Sequence, residues 1–220
     1  MQQEVIVSIG ALARKVLGHK LFPVIGRTYR SLFVDLEKVA QFMSNVIPED
    51  SHILDIGGGD GEPLNYLMAR RYDIRVTLID LKVDIGNSIS KEFKDRVTLL
   101  PGTSMRQFIE NNLRQPDCIM ISDVIHHIPL ADRTGFFKDI CDLMTQSKAM
   151  LLIKDVEPGY FISRLGYLSD RYISGDKNVD LMSKSELCLM LKNVLGNVTI
   201  TETGLFSVNK PNYLLSVAIG

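Results

Sequence analysis

A chain of 220 residues with 45% hydrophobic content is long enough for one α/β domain with a complete core and modest additions. A formal net charge of −1 excludes a global field for nucleic acid or for an anionic membrane. No apolar run approaches the roughly 18 residues of a membrane span, the N-terminus lacks the order of a signal peptide, and Cys118, Cys141 and Cys188 form no CxxC pair; the expectation is a cytoplasmic protein with buried free thiols and no metal site.

In chain order, residues 1–48 read as an N-terminal helical extension with a helix near 33–46, and residues 49–220 as the main domain. From Val5 through Val34 there is no acidic residue, while Arg14, Lys15, Lys20, Arg27 and Arg30 are all present. Three functional readings compete for this basic stretch: a lid over an active site, a patch for an anionic or carrier-protein-bound substrate, and an arm for RNA. Packing with solvated cations is the plain alternative. RNA is the weakest, since so few charges make a poor nucleic-acid footprint.

The next element is Ile53-Leu54-Asp55-Ile56-Gly57-Gly58-Gly59-Asp60-Gly61. It reads as a buried strand near 52–56 that ends in an acid and opens through glycines into a helix near 61–71. Glycine allows a backbone to approach a ligand closely. Glu62 stands where a dinucleotide fingerprint needs its third glycine, which argues against a pyrophosphate cradle. A second strand near 75–80 ends in Asp80, placed to accept hydrogen bonds from both hydroxyls of a ribose. Capping the following segment, predicted as a helix over 82–93, is the competing role for Asp80.

Residues 53–61 with Asp80 resemble the first motifs of the class I S-adenosylmethionine-dependent methyltransferases. The resemblance covers roughly residues 50–220. It implies S-adenosyl-L-methionine as cofactor, held by Asp55, Gly57, Gly58, Gly59 and Asp80. It also implies a Rossmann-like, doubly wound α/β sheet of seven strands, mostly parallel with an antiparallel last strand.

Further strands are predicted near 96–100, 117–122, 148–154, 197–203 and 212–218, with helices near 104–113, 131–145 and 184–194. After the third strand the family commonly places an aspartate for the adenine amino group; here Thr103 and Ser104 stand there, able either to contact the base or to cap the helix that follows. After the fourth strand comes Ser122-Asp123-Val124-Ile125-His126-His127-Ile128-Pro129. It is similar to the paired-histidine form of small-molecule methyltransferases, which makes His126 and His127 candidates for the general base. Packing of the turn is their alternative role. Asp123 is placed either at the cofactor's methionine end or against one of the histidines.

The fifth strand ends in Lys154-Asp155-Val156-Glu157-Pro158, acids able to orient a histidine or, in metal-dependent relatives, to bind a cation whose remaining ligands are not evident here. Gly159 to Lys184 then reads as an insertion over the acceptor, carrying Tyr160, Phe161, Tyr167, Tyr172 and Met182. The expectation is a methyltransferase of a small organic acceptor, O-methylation favoured over N-methylation. A nucleotide or RNA methyltransferase and a catalytically silent cofactor-binding module are the alternatives.

Overall fold

The computed structural model describes residues 33–111, 115–164, 167, 179–203 and 209–220. Helix α1, Leu36–Val46, starts at Asp35, whose carboxylate accepts from Lys38 N at 3.2 Å, and turns Val39, Ala40 and Met43 inward. This i, i+1, i+4 spacing is the apolar stripe that a helix needs to lie on a sheet. The stripe joins one core with strand β1, His52–Ile56, helix α2, Glu62–Arg70, and strand β2, Arg75–Asp80.

Strand β3, Val97–Pro101, helix α3, Met105–Glu110, strand β4, Cys118–Ser122, helix α4, Leu130–Ser147, and strand β5, Met150–Val156, follow. Helix α5, Lys184–Leu195, and strands β6, Val198–Thr203, and β7, Asn212–Ile219, complete the chain. The sheet order is β3-β2-β1-β4-β5-β7-β6, parallel except for β7, which pairs antiparallel with both β5 and β6. Near-continuous apolar runs in β1, β4 and β5 are what strands covered on both faces require. α1 and α2 cover one face and α4 and α5 the other, in two separate hydrophobic clusters. The doubly wound seven-stranded class is confirmed.

One predicted element is absent. Residues 82–90 form turns and bends rather than a helix, followed by a 3-10 helix at Lys91–Arg96. Gly86 has φ +69° and donates its N–H to Gly59 O at 2.9 Å, while Ser88 N donates to Asp60 O at 2.9 Å. The backbone donors of this segment are therefore spent on the glycine loop instead of on a helix of their own. The turn-forming Asp84, Gly86 and Asn87 carry the local signal for this.

The order of strands reverses between β1 and β4, and their carboxyl ends open a crevice there, the usual ligand position in such sheets. The basic stretch with Arg14, Lys15, Lys20, Arg27 and Arg30, and Asp170, Arg171 and Tyr172 of the insertion, lie outside the described residues. No helix among the described residues is long and apolar enough to cross a membrane.

Candidate active site

The glycines after β1 occupy their places for different reasons. Gly57 has φ +71° and lies under Val124, whose Cγ2 a Cβ would meet at 2.7 Å. Gly58 covers Asp55, and a Cβ there would collide with the carboxylate. Gly59 has φ +55°, and a Cβ would enter open space, its nearest atom being Gly57 O at 4.0 Å. Gly57 and Gly59 meet the backbone requirement of a left-handed turn, and Gly59 leaves room on the outer side of the loop. Gly61 closes the turn as the N-cap of α2, also left-handed, against Ile89.

Asp80 is bound to this loop. Its Oδ2 accepts from Gly59 N at 3.1 Å and its Oδ1 from Lys82 N at 2.9 Å. A carboxylate oxygen accepts more than one hydrogen bond, so each retains capacity toward a partly open crevice. Asp55 lies deeper. It is 3% exposed, and its Oδ1 is buried with no hydrogen-bond partner. Burial, reinforced by the neighbouring Asp80, pushes its carboxyl up to about 7.

At the third strand end, Thr103 N donates to Asp80 O at 2.9 Å, and Ser104 is the N-cap of α3. Its hydroxyl accepts from Gln107 N at 3.2 Å while Gln107 Oε1 accepts from Ser104 N at 2.9 Å, a complete capping box. Thr103 Oγ1 donates to Pro101 O at 3.4 Å. The capping role read for Ser104 is present.

The ends of β4 and β5 exchange two ion pairs. Lys154, 1% exposed, donates from Nζ to both oxygens of Asp123, at 2.6 and 2.7 Å. Asp123 adopts φ +56°, with its N–H donated to Lys154 O at 2.9 Å. A left-handed non-glycine residue costs conformational energy, and two bonds to Lys154 hold it there. One residue along, His126 Nδ1 lies 2.6 Å from Asp155 Oδ1, with both side chains about 5% exposed or less. Successive strand residues point to opposite faces, so Lys154 and Asp155 serve the two sides of the sheet. Burial works to raise Asp155, but the facing His126 and the bond to it hold the carboxyl below its usual range. His127, by contrast, is exposed; its ring centroid lies 4.2 Å from that of His126. The buried histidine is thus His126, and the exposed one is His127.

Two residues that the sequence did not single out support this arrangement. Arg133, fully buried at the start of α4, donates from Nε to Ile128 O at 2.9 Å and from Nη2 to Asp180 O at 2.6 Å. Asp180 N in turn donates to His126 O at 2.9 Å. Tyr213, paired with Asp155 across β5 and β7, donates its hydroxyl to Met182 O at 3.1 Å. Neither bears a motif. Glu157 ties the ends of the insertion, its Oε2 accepting from Lys184 N at 2.9 Å and its backbone carbonyl from Ser163 Oγ at 2.6 Å. Among the described residues no group of three or more His, Cys, Asp or Glu is arranged to hold a metal.

A family model described as a methyltransferase domain matches residues 28–194. The chain belongs to that family. Its sheet order and glycine loop are those of the class I S-adenosylmethionine-dependent methyltransferases. Solved structures agree on the fold. The methyltransferase superposes on the S-adenosylmethionine-dependent methyltransferase SibL in its apo form with a TM-score of 0.70 at 14% identity, covering 96% of this chain and 62% of that one. For the mitomycin 7-O-methyltransferase MmcR the TM-score is 0.61 at 17% identity, covering 84% and 53%. For the O-methyltransferase NcsB1 of neocarzinostatin biosynthesis, solved with S-adenosylmethionine and 2-hydroxy-5-methyl naphthoic acid, it is 0.58 at 14%, covering 94% and 60%. The chain therefore spans less than two thirds of the length of each of these three proteins. No curated protein sequence matches it.

The residues present fit the family's cofactor. The open side of Gly59 leaves room for a ligand against the backbone, the half-open Asp80 carboxylate suits ribose hydroxyls, and the orphaned acid Asp55 suits a ligand that brings positive charge.

Proposed function

We propose that this methyltransferase methylates an oxygen of a small organic acceptor, with His126 as general base and Asp155 as the residue that orients it. The observation that carries the reading is the buried His126–Asp155 pair, 2.6 Å apart, at the carboxyl ends of β4 and β5 beside the glycine loop. When bound, S-adenosylmethionine supplies an electrophilic methyl group on a sulfonium. Asp80 and the loop Gly57–Gly59 would hold its ribose and methionine portions, with Thr103 and Ser104 toward the adenine and Asp123 toward the methionine end.

What remains for the protein is alignment and removal of one proton. With Asp155 ionised and accepting from Nδ1–H, the neutral imidazole carries its basic lone pair on Nε2, the nitrogen suited to take a hydroxyl proton from the acceptor. Nitrogen acceptors that are already neutral need no such base, which is why oxygen is favoured. The NcsB1 complex, whose ligand bears a phenol-type hydroxyl, supports the same class of acceptor. Residues 1–48 are read as an N-terminal extension of the methyltransferase domain, with the basic stretch available to an anionic or carrier-bound substrate. The bond from Asn212 Nδ2 to Phe33 O, 2.9 Å, supports it by tying the end of that stretch to β7.

The test is a panel of phenolic, enolic and amine metabolites incubated with S-adenosylmethionine, read by mass for the gain of one CH2. Turnover of hydroxylated acceptors that is lost in His126→Ala is expected. Cofactor binding without turnover of any acceptor would instead favour a silent module.

A further inference from the structure

Asp55 is not explained by holding the loop in place. Its carboxylate sits under Gly58 with Leu78 beside it, 3% exposed, and Oδ1 has no donor. A buried acceptor without a partner is costly, and a buried carboxylate without a cation more so. Asp80 from β2 acts on it, and it acts in turn on the buried Cys118 thiol of β4, which is driven up by burial, by Asp117 and by Asp55. The charged residues of the adjoining turn and the start of α2 are Asp60 and Glu62, both acids. No cation is among the groups that shift it.

We infer that Asp55 is a proton-coupled element of the cofactor site: it stands as the neutral acid in the free protein and releases its proton to solvent when a cationic ligand settles on the glycine loop. The O–H bond of Asp55 breaks, the carboxylate keeps the electron pair, and the proton passes to buffer. The inference rests on the reading that S-adenosylmethionine is the ligand of this loop. That molecule carries a sulfonium and an ammonium against one carboxylate, so its arrival provides the positive charge that Asp55 lacks. Affinity should then rise with pH across the range in which Asp55 titrates in the free protein.

The experiment is isothermal titration calorimetry of the full chain with S-adenosylmethionine at pH 6, 7 and 8, in buffer pairs of different ionisation enthalpy. With a carboxyl near 7, roughly half a proton should be released per cofactor at pH 7. Affinity should rise toward a limit of about tenfold per pH unit at the acidic end and level off near pH 8. Asp55→Asn, an isostere of the neutral acid, should lose this release and match the wild type at the acidic end while binding more weakly at pH 8. The ligand's own amine and every other titratable group are common to both proteins, so the difference between the two isolates Asp55. Equal proton counts in wild type and Asp55→Asn overturn the coupling while leaving the cofactor reading intact. No binding at any pH overturns both. Should the variant not fold, a wild-type count of zero between pH 6 and 7.5 overturns the coupling by itself.

Discussion

The two halves of the crevice solve their problems over different sequence distances. In the cofactor half, the acids and glycines that matter lie within one strand and its turn, or are joined by a single crossover, as Gly59 N and Asp80 Oδ2 are over 21 residues. In the acceptor half, each pair joins the ends of separate strands, His126 with Asp155 over 29 residues and Asp123 with Lys154 over 31. The first half is a backbone surface bounded by acids; the second is a set of side-chain pairs across strand ends whose members mean little alone. The two should therefore respond to mutation in different currencies, one in cofactor affinity and the other in rate.

The sharpest break between them is His126→Ala. It should lower the methyl-transfer rate by about 100- to 10,000-fold with cofactor affinity nearly unchanged. The wild-type rate should fall as pH drops through the titration of the base, and the variant should lose that acid limb. Asp155→Asn should cost at least about tenfold in rate by disturbing the tautomer of His126. A loss of cofactor affinity equal to the loss of rate would erase the division between the halves.

Asp55 tests the cofactor half through stability. Its folded carboxyl is raised from an ordinary 3.8 to about 7, so the folded state binds the proton more tightly than the unfolded chain does. Stability is then unaffected below about pH 4, declines as pH rises toward 7, and stays reduced above it. Asp55→Asn should remove this decline and stabilise the cofactor-free protein at pH 8 by up to about 4 kcal/mol. Urea unfolding at pH 5 and pH 8 measures it, and parallel curves for the two proteins would show Asp55 to be ionised throughout.

Asp80→Ala should weaken S-adenosylmethionine binding by about 1.5–3 kcal/mol in a folded protein. Its loss also frees Gly59 N, so calorimetry should show a change in affinity without the rate defect of His126→Ala at saturating cofactor. The smallest effect belongs to Ser104→Ala, which removes the cap of α3 and should cost about 1 kcal/mol of stability. A much larger loss of cofactor affinity than of stability would make the Ser104 hydroxyl a ligand contact as well as a cap.

The legibility of the chain follows the same division. Strand β1 and its turn could be read directly because an apolar run ending in Asp55 and alternating glycines constrains the backbone locally. Residues 82–90 misled for the opposite reason, since their backbone N–H groups bond to Gly59 O and Asp60 O, acceptors more than 25 residues away in the chain. The histidines were visible, but their unequal burial was not, because what buries His126 is Asp155 on another strand and what spans its loop is Arg133 with Asp180.

The sequence by itself determined the sheet class, the glycine loop and the acids that border it, because hydrophobic runs, turn residues and strand ends act over a few neighbouring positions. Only the tertiary structure decided which histidine is buried, that Lys154 and Asp155 part to opposite faces to serve Asp123 and His126, and that Asp55 lies without a donor. Those outcomes depend on the register of β4 against β5 and on the enclosure of one carboxylate beneath Gly58, and neither pairing register nor desolvation is a property of a residue and its chain neighbours.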